Sequence, residues 1–290
     1  MNIIFYLVLL ISKLPMRVLY VFSDVIFLVV YYIIGYRKLV VTRNIRNSFP
    51  EKSEKELESI RRKFYQNFAD YLVETLKAFS ISTTELKVRV QHINRDLFQE
   101  AHDQGKNVIL LAGHVFNWEW FTALATMVPQ KSCYPVYRRM QSKFWDEKIK
   151  LIRNAHGNQA LEAGDVIREV LRTPNDGDSI YMFVADQSPL QVNMGITFLN
   201  QLTPVFIGYD KLATRLDMEL IYCEMKKVKR GYYQVNYHKI EPEGEKFQPN
   251  EVVVKFHKML EETIRKNPDN YLWSHRRWKY AARIKNTINL

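Results

Sequence analysis

An α/β fold, with a central, mostly parallel sheet flanked by helices, is predicted by three features of the chain. The run Val108 to Ala112 is uniformly apolar, β-branched at its start and closed by Gly113. Five residues are too few for an ordinary helix and suit a strand buried on both faces. A second run, Ser179 to Ala185, ends in Asp186-Gln187-Ser188-Pro189. Around both lie stretches with apolar residues at spacings of three and four. Strands that alternate with such helices favour parallel pairing.

The beginning of the chain differs from the rest. Ile3 to Ile11 is apolar but too short to cross a bilayer, and Lys13, Pro15 and Arg17 interrupt it. Val18 to Tyr36 then runs nineteen residues with Asp24 as its one charge. A spanning helix needs roughly 20 mostly apolar residues. No small-residue cleavage site follows either run, so a removable signal peptide is not expected. Arg37, Lys38, Arg43 and Arg46 come next, which by the positive-inside rule places the body of the protein in the cytoplasm. Lys13 and Arg17 flank the other end and blur that bias. Residues 1–37 are expected to form a membrane anchor, as one helix, a hairpin or a helix in the interfacial plane. A buried pair of core helices is the alternative.

Ser53 and Glu56 form a capping-box pattern. Leu57, Ile60, Phe64, Phe68, Tyr71, Leu72 and Leu76 then predict one long amphipathic helix. Thr83 to Lys106 is mixed and leads into the Val108 strand. Beyond His114, the positions Trp118, Phe121, Leu124, Ala125 and Val128 have helical spacing, with Asn117 as a cap. Cys133 to Tyr137 reads as a short strand, Ser142 to Arg153 as a helix ending near Gly157, and Gly208 to Arg215 as another helix. A loop containing Gly195 and Asn200 reaches Thr203-Pro204-Val205-Phe206. Met218 to Met225 and Tyr232 to His238 suggest a hairpin around Lys229-Arg230-Gly231. Val252, Phe256, Leu260 and Ile264 mark a last amphipathic helix before the aromatic, basic tail Tyr271 to Lys279.

His114 falls at the carboxyl end of a buried strand, where open α/β sheets place their ligands. Glu119 follows five residues later. On a regular helix five residues turn about 500°, so the two would not share a face. They meet only if His114 is still in the turn while Glu119 is on the first helical turn. A carboxylate that accepts the Nδ1 proton of an imidazole fixes its tautomer and leaves Nε2 free as a base. Asp186 at the second strand end, with arginines between, completes a set able to deprotonate an alcohol and hold a polar or anionic substrate.

Composition narrows the function classes. The 290 residues suffice for one large domain, and 47% are apolar. A net charge of +11 favours anionic partners such as membranes, phosphorylated lipids, nucleic acid or an acidic carrier protein. No nucleic-acid motif or basic stripe is present, so no nucleic-acid partner is expected. The ten glycines never form GxG, no serine sits in GxSxG, and no HExxH occurs. Cys133 and Cys223 stand ninety positions apart, so neither a disulfide framework nor a metal site is expected. Cys223, His238 and His257 read as structural or solvent-facing.

The turn His114-Val115-Phe116-Asn117-Trp118-Glu119 resembles the acyltransferase motif in which an acid follows a histidine after four intervening residues. Arg43-Asn44-Ile45-Arg46-Asn47-Ser48-Phe49-Pro50-Glu51 and Tyr137-Arg138 resemble segments of the late, secondary acyltransferases of lipid A biosynthesis. So do Ala185-Asp186-Gln187-Ser188, Thr203-Pro204-Val205-Phe206 and Trp273-Ser274-His275-Arg276-Arg277-Trp278-Lys279. The resemblance runs from the apolar N-terminus to about Lys279.

That resemblance implies a glycerol-phosphate-acyltransferase-like fold, with residues 38–290 as the acyltransferase domain. It implies acyl transfer from acyl-(acyl carrier protein) to a hydroxyl of a lipid A precursor, at the cytoplasmic side of the bacterial inner membrane. No cofactor or metal is needed for such a transfer. His114 is then the general base and Glu119 its orienting acid. Arg153 and Asp186 occupy positions where the family keeps an arginine and an aspartate, and Arg138 is a candidate for holding a phosphate or the developing oxyanion. Lys143, Lys148 and Lys150 would meet the acidic carrier, and the basic tail with Arg37 to Arg46 would meet anionic headgroups. Many relatives have a small residue where Phe116 stands, so this phenylalanine is expected to narrow the space beside His114. A lysophospholipid or aminolipid acceptor is the neighbouring alternative.

Overall fold

The computed structural model describes residues 2–189, 192 and 194–288. Helices α1 (Asn2–Ser12) and α2 (Met16–Leu28) open the chain, and α2 continues as a π-helical turn, Val29–Ile34. Gly35 ends it in the left-handed conformation that a Cβ would disfavour (φ 62°). Helices α3 (Lys38–Ser48) and α4 (Glu54–Lys77) follow. The predicted capping box at the head of α4 is formed, with both Ser53 and Glu56 bonding reciprocally.

The mixed stretch before His114 holds α5 (Thr83–Arg89), β1 (Val90–Ile93) and α6 (Asp96–Asp103). Next come β2 (Val108–Ala112), a 3₁₀ segment (Trp118–Thr126), β3 (Ser132–Tyr137), α7 (Lys143–Arg153), β4 (Leu161–Glu162) and α8 (Val166–Arg172). The rest comprises β5 (Ser179–Val184), β6 (Met194–Phe198), β7 (Gln201–Pro204), α9 (Gly208–Leu216), β8 (Glu219–Lys229), β9 (Tyr232–Lys239), α10 (Glu251–Lys266) and β10 (Asn286–Thr287). The expected Gly195–Asn200 loop is thus largely an antiparallel hairpin of β6 and β7.

The main sheet has the order β1-β9-β8-β2-β5-β3-β4, and only the β8–β9 pair is antiparallel. The α/β fold with a mostly parallel central sheet is therefore present. β2 is the central strand, and every residue of it is buried. It pairs in parallel with β5, Ala112 opposite Val184. The register continues past both strands, since the Ala185 N–H donates to Ala112 O at 2.9 Å. Two residues on, His114 and Asp186 are brought level at the carboxyl edge of the sheet.

Helices cover both faces. Tyr222 of β8 donates or accepts with Thr263 of α10, whereas Lys227 reaches Asn67 and Asp70 of α4. Side chains of even and odd residues along a strand point to opposite faces, so α10 and α4 sandwich the sheet. Val252, Phe256, Leu260 and Ile264 of α10 are all at most 1% exposed, each burial worth about 1.5–3 kcal/mol. Gly113 lets α10 come close, because a Cβ there would run into the Leu260 side chain.

Candidate active site

At the carboxyl edge of three neighbouring strands stand His114 after β2, Asp186 after β5 and Arg138 after β3. His114 is held from below and from the side. Val115 bridges to Tyr271, the Leu272 N–H donates to His114 O, and Asn270 closes on Phe116 through two hydrogen bonds.

The ring of His114 pairs with Asp186, not with Glu119. Nδ1 lies 2.5 Å from Asp186 Oδ1, which also accepts the His114 backbone N–H at 3.0 Å. Asp186 Oδ2 accepts the Tyr271 hydroxyl at 2.8 Å. Burial alone would raise the Asp186 carboxyl, but the charge and hydrogen bond of His114, with Arg277 and Tyr271, outweigh it and hold the group well below the usual carboxylate range. Burial and the adjacent Asp186 keep the Tyr271 phenol protonated, as a donor must be. On the other side of the ring, Nε2 lies 2.9 Å from the Gln187 carboxamide nitrogen, so the acid engages one ring nitrogen and the amide the other.

The expected His114–Glu119 bond is corrected by this geometry. The segment after His114 is a 3₁₀ helix, and Asn117 caps it by accepting the Glu119 N–H at 3.2 Å. The Glu119 carboxylate instead takes Arg153 Nη2 at 3.0 Å and the Trp118 indole N–H at 3.2 Å. Burial disfavours the Arg153 charge, yet Glu119 more than restores it, and the guanidinium stays firmly protonated. Both residues are mostly buried, with side-chain exposures of 22% and 9%.

His114, Glu119, Arg138 and Arg153 line one cavity of about 450 Å³, within the usual range for small-ligand sites. Its walls are mainly apolar and include Trp118, Val166, Ile167, Met182, Phe206 and Leu212. Arg138 is exposed at the rim. Asp186 lies behind His114, outside the lining. Phe116 is also outside it: its ring is buried against Phe64, Tyr71 and Trp118, with centroids 6.0, 5.2 and 5.6 Å away. It therefore packs the 3₁₀ turn onto α4 and does not narrow the space beside His114. Lys143 and Lys150 are exposed on α7, while the Lys148 ammonium sits 4.6 Å from the Phe5 ring centroid.

Sequence reasoning passed over Tyr271, Gln187 and Arg277. Within the basic tail Arg277 is a buried brace, 1% exposed beside Trp273 at 0%, whereas Arg276 and Lys279 stay exposed. Arg277 stacks 5.1 Å from the Phe198 ring and reaches His257 Nε2 at 3.2 Å. Its Nε and Nη1 find no partner among the described residues. His257, expected to be structural or solvent-facing, is buried beneath it.

The separate sequence segments converge on this brace. Asn44 donates to Trp273 O at 2.8 Å and to His275 O at 3.0 Å, and Arg37 donates to Ser274 O at 2.9 Å. The Ser188 hydroxyl donates to Arg277 O at 2.5 Å, and the Trp278 indole to Thr203 Oγ1 at 2.7 Å. The Asn44, Ser188 and Thr203 segments thus fix the turn that supplies Tyr271 to Asp186.

Among the described residues, no group of three or more His, Cys, Asp and Glu side chains is placed to hold a metal ion. The family described as bacterial lipid A biosynthesis acyltransferase matches the chain over residues 2–280. No curated protein sequence matches it.

Proposed function

Since the chain belongs to the bacterial lipid A biosynthesis acyltransferase family, we propose that it moves a fatty acyl group from acyl-(acyl carrier protein) to a hydroxyl of a lipid A precursor, with His114 as general base. The observation that carries this reading is the hydrogen-bonded series Tyr271–Asp186–His114 at the head of an apolar cavity.

In this reading the acceptor hydroxyl displaces the Gln187 carboxamide from Nε2 of His114. Nε2 takes the hydroxyl proton as its oxygen attacks the thioester carbonyl carbon. The C–O bond forms, the C–S bond breaks, and the carrier thiolate leaves with the proton from the imidazolium. Asp186 stays ionised, fixes the tautomer and stabilises the imidazolium, the role that an acid plays in a histidine dyad. The apolar walls hold the acyl chain, and its burial there removes apolar surface from water.

Glu119 and Arg153 act in this account as a charged pair in the cavity wall that positions the polar part of the acceptor. Arg138 at the rim offers paired N–H donors to a phosphate. Lys143 and Lys150 form the exposed basic approach for an acidic carrier. The reaction runs on the cytoplasmic side of the inner membrane, where the apolar N-terminal helices keep the site beside its lipid acceptor.

The test is transfer by the purified protein from acyl carrier protein or coenzyme A thioesters to a lipid A precursor or a lysophospholipid, read by product mass. One added acyl ester on the precursor, with the carrier thioester preferred, is expected. Acylation of the lysophospholipid alone would replace the acceptor.

A further inference from the structure

We propose that α2 with its π-helical extension lies in the plane of an anionic membrane leaflet, docked along α4, and does not cross the bilayer. The proposal rests on the membrane association proposed above and says how it is achieved. By length and composition Met16–Ile34 could cross a membrane, but its contacts are those of a helix fastened along its side.

Leu19, Ser23, Phe27 and Tyr31 recur every fourth residue and are buried. That stripe runs antiparallel down α4. The Tyr20 hydroxyl donates to Glu74 and the Ser23 hydroxyl to Asp70, each at 2.8 Å, and the Tyr31 hydroxyl donates to Glu58. Midway along, Asp24 pairs with Arg230 at 2.6 Å, and Arg230 also reaches Asp70 at 2.7 Å. A helix spanning the bilayer in this docked state would carry that charge cluster to the bilayer centre. It would also take with it α4, whose Arg62, Lys63 and Gln66 are exposed. Charged groups at that depth are strongly disfavoured.

The opposite side of the helix is suited to lipid. Val18, Val21, Phe22, Val25 and Leu28 are all more than 40% exposed. One charged or docked face and one apolar face describe an interfacial helix. The neighbouring α1 adds Ile3, Leu7 and Leu10, each more than half exposed. Basic residues stand at both ends, with exposed Lys13 before α2, exposed Arg17 in its first turn and exposed Arg37 after its π-helical extension. A spanning helix concentrates such charge on one side of the membrane. A helix lying on one anionic leaflet uses it at both ends.

The placement is tested by single cysteines at exposed positions, Lys13→Cys before α2 and Lys246→Cys in the body. The native Cys133 and Cys223 are buried. Sealed inverted and right-side-out membrane vesicles from expressing cells are treated with a membrane-impermeant maleimide. Both cysteines should label in inverted vesicles and neither in right-side-out ones. Labelling of Lys13→Cys from the face opposite to Lys246→Cys would overturn the proposal, as would recovery of the protein in the soluble fraction. Acyl transfer assayed on the same vesicles is a separate readout: its failure removes the proposed reaction, while the labelled side decides the placement alone.

Discussion

Nδ1 of His114 lies 2.5 Å from Oδ1 of Asp186, although 72 residues separate them in the chain. The other carboxylate oxygen is held by Tyr271, so the acid has little freedom to turn away. Tyr271→Phe removes a hydrogen bond to a charged group, an interaction of about 1.5–3 kcal/mol. The variant should fold, bind acceptor with nearly unchanged KM and lose roughly tenfold in kcat, an effect of about 1.4 kcal/mol. Steady-state kinetics with varied acceptor reads the split.

Glu119 and Arg153 should behave as a unit. Glu119→Gln leaves Arg153 mostly buried without its carboxylate, which should cost up to about 3 kcal/mol of stability. Replacing both, as Glu119→Gln with Arg153→Gln, should recover most of that loss. Denaturant unfolding of the two singles and the double measures the coupling. The singles should chiefly raise the acceptor KM and leave the pH dependence of kcat in place, because neither touches the His114 ring.

Phe116 is packing, so its truncation should be felt in stability and not in chain selection. Phe116→Ala opens a void beside Phe64, Tyr71 and Trp118 and should cost about 3–5 kcal/mol. Competition between acyl donors of different length should give the same preference as the parent at permissive temperature. Substitutions at Ile167 or Leu212, which line the cavity, are expected to change it.

Acid should destabilise the fold through His257. Burial first, and then Arg277, push its imidazole down to about 3 from an ordinary value of 6.5. Between those values the unfolded chain binds a proton that the folded chain does not. Stability from this group is therefore complete above about 6.5 and lost as the pH falls, by roughly 1.4 kcal/mol per pH unit in mid-window. His257→Gln should flatten that part of the curve. Denaturant midpoints between pH 7 and pH 4 compare the two proteins.

Much of the arrangement could be read before any coordinates. The apolar runs of β2 and β5 announce buried parallel strands, and the residues two places beyond each are the ones brought level at the sheet edge. What could not be read was that these strands are neighbours in register, and hence that Asp186 reaches the histidine. Glu119 is close in sequence and drew the pairing, but a 3₁₀ turn capped by Asn117 aims its carboxylate at Arg153. β1 escaped notice because a four-residue edge strand with polar Gln91 and His92 shows no clear alternation. The tail's charge suggested a surface role, whereas cation–π stacking on Phe198 and backbone clamps from α3 let Arg277 be buried.

The most direct test of the central claim is the rate of acyl transfer by Asp186→Asn and Glu119→Gln, set beside His114→Ala. A positioned base is worth about two to four orders of magnitude in rate, and His114→Ala should lose that much. Asp186→Asn should lose nearly as much, because an asparagine cannot fix the tautomer or stabilise the imidazolium. The double variant His114→Ala with Asp186→Asn should be no slower than His114→Ala alone. Near-normal transfer by Asp186→Asn, with transfer by Glu119→Gln reduced to the level of His114→Ala, would contradict the account.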